Sequence, residues 1–98
     1  MTPEERLDQM HKIRVLPARL ESLLWDLTHE DLTTPYLEDE WTVAQNVHHV
    51  ADSHMTAFFR FKLMLLEDNP PLKAFDQDDW AGTLDATTTD IENSLAIL

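Results

Sequence analysis

The sequence predicts an all-α fold, and three observations carry that reading. A single glycine in 98 residues, few β-branched runs and abundant Leu, Glu, Ala and Asp favour helices over sheet. Apolar residues recur three and four apart in the longer segments, the spacing of one helical face. Threonines that can cap, and prolines that can start or stop a helix, stand at the ends of those segments.

Each element follows from local signals. Thr2-Pro3-Glu4-Glu5 combines an N-cap threonine, proline at the first helical position and glutamate at the third, which predicts a helix over about 4–12. Pro17 cannot donate to a helical ladder and clashes with the preceding turn, so 13–16 reads as a junction and a second helix as running over 17–28. Leu20, Leu23, Leu24 and Leu27 supply that helix with its apolar stripe. Thr28 caps a brief HEDL turn that ends at Thr33-Thr34-Pro35-Tyr36. Thr42 then caps the main helix, 42–67, which Asn69-Pro70-Pro71 terminates. Residues 72–89 read as irregular, with KAFDQDDW able to form a helical turn and DATTTD as loop. A last helix begins at about 90, from Thr89 or Asp90, with Ile91, Leu95 and Leu98 on one face. It ends on its own apolar stripe without a cap. The expectation is one domain, 1–98, whose bundle continues beyond residue 98 or is completed by another chain.

Composition removes several functions. Nineteen acidic residues against seven basic ones give a formal charge of −12, which repels phosphate backbones and anionic lipid, so neither nucleic acid nor membrane is an expected partner. Without cysteine there are no disulfides, thiolate ligands or thiol nucleophile, and any metal site must use His, Asp or Glu. No apolar run approaches the roughly 18 residues that span a bilayer, and MTPEERLDQM lacks the apolar core of a signal peptide. The chain reads as soluble and cytoplasmic.

The chemistry-bearing stretch is WTVAQNVHHVADSHM, with His48, His49 and His54 on the main helix. At about 100° per residue, Val43, Val47, Val50, His54, Phe58, Phe61 and Leu65 share a face, which makes His54 the expected core imidazole. His49 lies with Gln45, Ser53, Thr56 and Arg60 on a polar strip, where plain solvent exposure is the simplest reading. His48 sits near Asp52 and Phe59 at the boundary between the faces. Metal ligands on one helix converge at spacings of three or four, and these histidines do not; a complete site needs donors from elsewhere. His11 and His29 read as surface histidines.

The run TPY, WTV, VHHVADSHM, RFKL and ED-NP, in that order, resembles the N-terminal half of the YfiT-like branch of the DinB superfamily. The resemblance covers most of the chain and implies part of a four-helix bundle. It also implies a metal-dependent hydrolase, or a thiol S-transferase acting with low-molecular-weight thiols such as bacillithiol. In that pattern three histidines hold a divalent ion, zinc or nickel. The first is the second of the HH pair, here His49, and the other two come from a late H-x3-H on the fourth helix. No H-x3-H occurs in these 98 residues, so the resemblance gives this chain one ligand of an incomplete site. Around it, Trp41, Gln45, Ser53, Phe58 and Phe59 are the pocket candidates. Asp39-Glu40 stand where relatives commonly carry glycines, which is expected to stiffen that loop, and Asn46 puts a polar group beside the core stripe.

Two functions compete at this point. One is a metalloprotein, hydrolase or transferase, in which this chain supplies His49 and a pocket wall for a small-molecule or thiol substrate. The other is a non-catalytic module, binding a ligand or forming a homodimer that rebuilds a four-helix bundle from two chains.

Overall fold

Three threonines set the frame. Thr2, Thr28 and Thr42 each accept a hydrogen bond from the amide three residues on, and the side chain of that third residue, Glu5, Asp31 or Gln45, accepts from the threonine's own amide. Each box satisfies two amides that a helix start leaves orphaned. In this computed structural model, which describes residues 1–88 and 90–98, they open α1 (Pro3–Leu24), α2 (His29–Thr33) and α3 (Val43–Leu66). Three short helices follow: α4 (Gln77–Ala81), α5 (Leu84–Thr88) and α6 (Glu92–Ile97). Among the described residues every regular element is a helix, as the composition predicts.

Two expected boundaries are corrected. The first two predicted helices, 4–12 and 17–28, are one, because α1 runs through Pro17 and stops at Leu24. The proline removes one amide donor and crowds the carbonyl of Ile13. Ile13 is exposed, so that carbonyl can turn to water rather than break the helix. The DATTTD loop is the second correction. Its first residues lie in α5, where Thr87 and Thr88 donate back to the carbonyls of Thr83 and Leu84 and Ala86 is buried. Short threonine side chains thus satisfy themselves locally, and the packing of α5 on α3 supplies the rest. The main helix and the turn in KAFDQDDW fall where expected. Of the two proposed starts for the last helix, Thr89 lies outside the described residues; α6 opens at Glu92 after Ile91, without a side-chain cap.

Helix α3 is the hub, packing on α2, α4, α5 and α6, while α1 meets α6. Leu24 and Leu32 pack beside Ala44 and Val47, whereas Ile13, Leu16 and Pro17 lie with His54, so α1 and α3 run antiparallel. The core consists of Ala44, Val47 and Ile91 with Leu24, Leu32 and Leu95 against it. The buried face of α3 is Ala44, Val47, His48 and Ala51, rotated by about 70–80° from the stripe that large apolar residues define. Two alanines let neighbouring helices approach closely, and that contact decides which face is covered. Phe58, Phe61 and Leu65, assigned to the core by periodicity, are 64, 63 and 82 % exposed. They lie along α3 beyond the reach of α6.

Two loop residues carry left-handed backbone, Asp39 at φ 62° and Asn69 at φ 48°. Asparagine tolerates that region well. Asp39 occupies a conformation in which a glycine is free of strain.

Candidate functional site

The three histidines of α3 divide differently from the periodicity. His48, not His54, is the buried imidazole, at 5 % exposure, and its Nδ1 is 2.7 Å from Ser94 Oγ on α6. His54 is half-buried in a small apolar recess of about 110 Å³ with Leu16, Pro17 and Ile97, and its Nδ1 is buried without a hydrogen-bond partner. The core assignment thus moves by six residues, because α6 arrives on the Ala44–Ala51 face.

His49 is not solvent-exposed on a polar strip. Its ring lies 5.0 Å from that of Trp41 and stacks on Phe75 at 6.0 Å and 17°, and Trp80 meets Phe75 edge-on at 5.1 Å. Its Nδ1 is also buried without a partner. The strip is roofed by residues 73–81. Gln45 donates from Nε2 to the carbonyl of Ala81 at 2.8 Å, and Arg60 from Nη2 to that of Lys73 at 2.6 Å. Ser53 and Thr56 turn their hydroxyls back to the carbonyls of Val50 and Asp52. Asp52, on the same side, has its carboxyl pushed above the ordinary value, first by burial and then by Asp85 of α5; His48 and His49 pull it the other way.

The candidate residues therefore separate. Trp41 and Gln45 are beside His49 or hold its roof, and Ser53 lies half-buried on the same strip. Phe59 faces a cleft further along α3, whereas Phe58 projects outward under Lys62 Nζ, 5.6 Å from its ring centre. Sequence reasoning did not single out Phe75 and Trp80. The local signal was an aromatic at each end of an Asp-rich cap, FDQDDW, and only the fold brings those rings to His49.

The donor set decides what this site can hold. Nδ1 of His49, an imidazole nitrogen with no partner, suits a metal donor, because leaving such an atom buried and unsatisfied costs about 1–3 kcal/mol. A catalytic ion needs about three protein donors with a fourth position open. Among the described residues no three His, Asp or Glu side chains converge in that way, so they do not hold the ion by themselves. No helix among them is long and apolar enough to cross a membrane.

An all-α partial bundle whose second long helix holds an orphaned histidine nitrogen between two aromatic rings describes a class of fold and site. The chain belongs to the DinB superfamily, whose family model matches residues 12–98. Over 98 residues it is 38% identical to "Putative metal-dependent hydrolase YfiT" of Bacillus subtilis (strain 168), an alignment spanning 100% of this chain and 55% of that protein. Over 86 residues it is 49% identical to a "Putative metal-dependent hydrolase" of Geobacillus thermodenitrificans (strain NG80-2), spanning 88% of this chain and 48% of that one. The solved structure of Bacillus subtilis YfiT, described as "a probable metal-dependent hydrolase with an unusual four-helix bundle topology", is similar with a TM-score of 0.90 at 37% identity. That match covers 99% of this chain and 55% of that one. The chain spans about half the length of the curated relatives it matches.

Proposed function

We propose that this chain contributes one imidazole, His49, and the aromatic wall of Trp41, Phe75 and Trp80 to a metal-dependent hydrolase or thiol-transferase site of the DinB kind. The remaining donors come from outside the described residues, and the ion is zinc or nickel. The observation that carries this reading is the orphaned Nδ1 of His49, held between two aromatic rings on an otherwise hydrogen-bonded strip. When bound, such an ion polarises an oxygen or activates water or a thiol near neutral pH. The residues of this chain orient the imidazole through the two ring contacts, and the roof that Gln45 ties to Ala81 limits its access to water.

His54 has the same orphaned nitrogen, so the test must separate the two. In a nickel titration of the chain followed by NMR, the His49 ring signals should broaden before those of His11, His29 and His54. His49→Ala should abolish that early phase and His54→Ala should preserve it. Broadening that begins at His54, or an early phase that survives in His49→Ala, refutes the assignment.

A second reading is favoured by an exposed apolar seam along α3, where Phe58, Phe61 and Leu65 face solvent, as do Leu7 and Ile13 of α1. In it the chain forms a homodimer, two antiparallel helix pairs completing a four-helix bundle. The two readings are compatible, since the seam lies on a different side of α3 from His49.

A further inference from the structure

We propose that the cleft between the second half of α3 and the 71–80 segment is a binding site for a small apolar carboxylate. It encloses about 470 Å³, within the usual 300–1,000 Å³ of small-ligand sites. Phe59 and Leu63 form one wall, and Leu72, Phe75 and Trp80 form the other. An apolar body of one ring and a few methylenes fits that space and would cover Trp80 and Phe59, which are 44 and 64 % exposed.

The charge on the lining selects the head group. Arg60 and Lys73 both line the cleft, and no carboxylate does. The chain as a whole carries a formal charge of −12. Two other cavities have similar volume: one of about 460 Å³ between α1 and α6 is lined by Glu21, Asp90 and Glu92, and one of about 470 Å³ on α1 has Arg19 as its single charged residue, so only this cleft brings two basic side chains together. The guanidinium of Arg60 is also held at the lip of the cleft. Arg60 gives one N–H to the carbonyl of Lys73 at 2.6 Å, which leaves four guanidinium donors and brings the Lys73 backbone to the same lip. Neither side chain forms an ion pair among the described residues. A guanidinium already held by one bond loses less freedom on meeting an anion, and its fork matches the two oxygens of a carboxylate.

The site does not require a metal at His49. It shares one wall with that histidine, since Phe75 stacks on the imidazole and also lines the cleft. A ligand with its apolar end against Phe75 and its anionic end at Arg60 would lie alongside the His49 strip.

Calorimetric titration of the chain, kept metal-free with chelator, tests the assignment with 4-phenylbutyrate and its neutral amide as probes. The acid should bind at least tenfold more tightly than the amide. Arg60→Gln should weaken the acid about tenfold relative to the amide, and Lys73→Gln, at an exposed position, should weaken the acid about threefold. Circular dichroism of each variant establishes that it is folded. Equal binding of acid and amide, no binding of either, or acid binding that is unchanged in both folded variants would overturn the proposal. The two readings separate on the parent chain: acid-over-amide discrimination without an early nickel phase at His49 keeps this site and fails the metal reading, and an early nickel phase with no binding of either probe does the reverse.

Discussion

His48 and His49 are neighbours in sequence, yet about 100° of helix rotation sends one ring to Ser94 in the packed face and the other between Trp41 and Phe75. Buried polar atoms are usually paired, and the Nδ1 of His48 has its pairing from a residue 46 positions away. Ser94→Ala removes that partner while leaving the imidazole inside. The expected cost is about 1–3 kcal/mol, read as a lower denaturation midpoint with an unchanged urea slope. A variant as stable as the parent would show that the bond adds nothing. Sequence alone could not make this assignment. The helical period ranks residues by the size and polarity of their own side chains, and His54 falls among Val50, Phe58 and Phe61. What buries His48 is the arrival of α6 over the small Ala44 and Ala51, a choice made by the partner rather than by α3. The resemblance to a known family, which rests on order and motif rather than period, points instead to His49, whose ring the fold places between Trp41 and Phe75.

The elements were most legible where their determinants are local. Thr2, Thr28 and Thr42 cap as their spacing requires, because a capping box is closed within four residues. Pro17 and DATTTD misled for the converse reason, since exposure of Ile13 and burial of Ala86 are tertiary facts that override local preference. Gln45 belongs to both categories. Its Oε1 accepts from the Thr42 amide at 3.0 Å, completing the box, while its Nε2 ties α4 to α3 through the Ala81 carbonyl. Gln45→Glu keeps the first role and loses the second, because a carboxylate can accept but cannot donate. The expected result is an intact α3 start with a loosened α4. Amide exchange should accelerate at 77–82 and tryptophan emission shift red as Trp80 becomes wetter, with little change at 43–46. Uniform acceleration across α3 would mean that the cap, not the tether, is what Gln45 maintains.

At the scale of the whole molecule the surface is too large for the mass. A folded monomer of 11.4 kDa exposes about 5,800 Å² and has a radius of gyration of about 12.6 Å. This chain exposes 7798 Å² with a radius of 15.7 Å. The excess of about 2,000 Å² per chain compares with the 1,200–2,000 Å² in total that a stable interface buries. The excess surface includes the seam of Phe58, Phe61 and Leu65 on α3, and Leu7 and Ile13 of α1 are exposed as well. Charge opposes the joining of two copies, because each brings −12. At physiological ionic strength the screening length is about 8 Å, so added salt weakens that repulsion while leaving the apolar attraction in place. Self-association should therefore strengthen as salt rises, the reverse of an interface held by ion pairs. Sedimentation equilibrium at about 100 μM is expected to move from a mixture at low salt towards twice 11.4 kDa at 0.5 M sodium chloride. Phe58→Glu or Leu65→Glu, at positions 64 and 82 % exposed in the single chain, should return the mass to that of a monomer without unfolding it. A folded monomer at both salt concentrations would refute the seam as a homodimer interface. Association that persists unchanged in both glutamate variants would place the contact on another face.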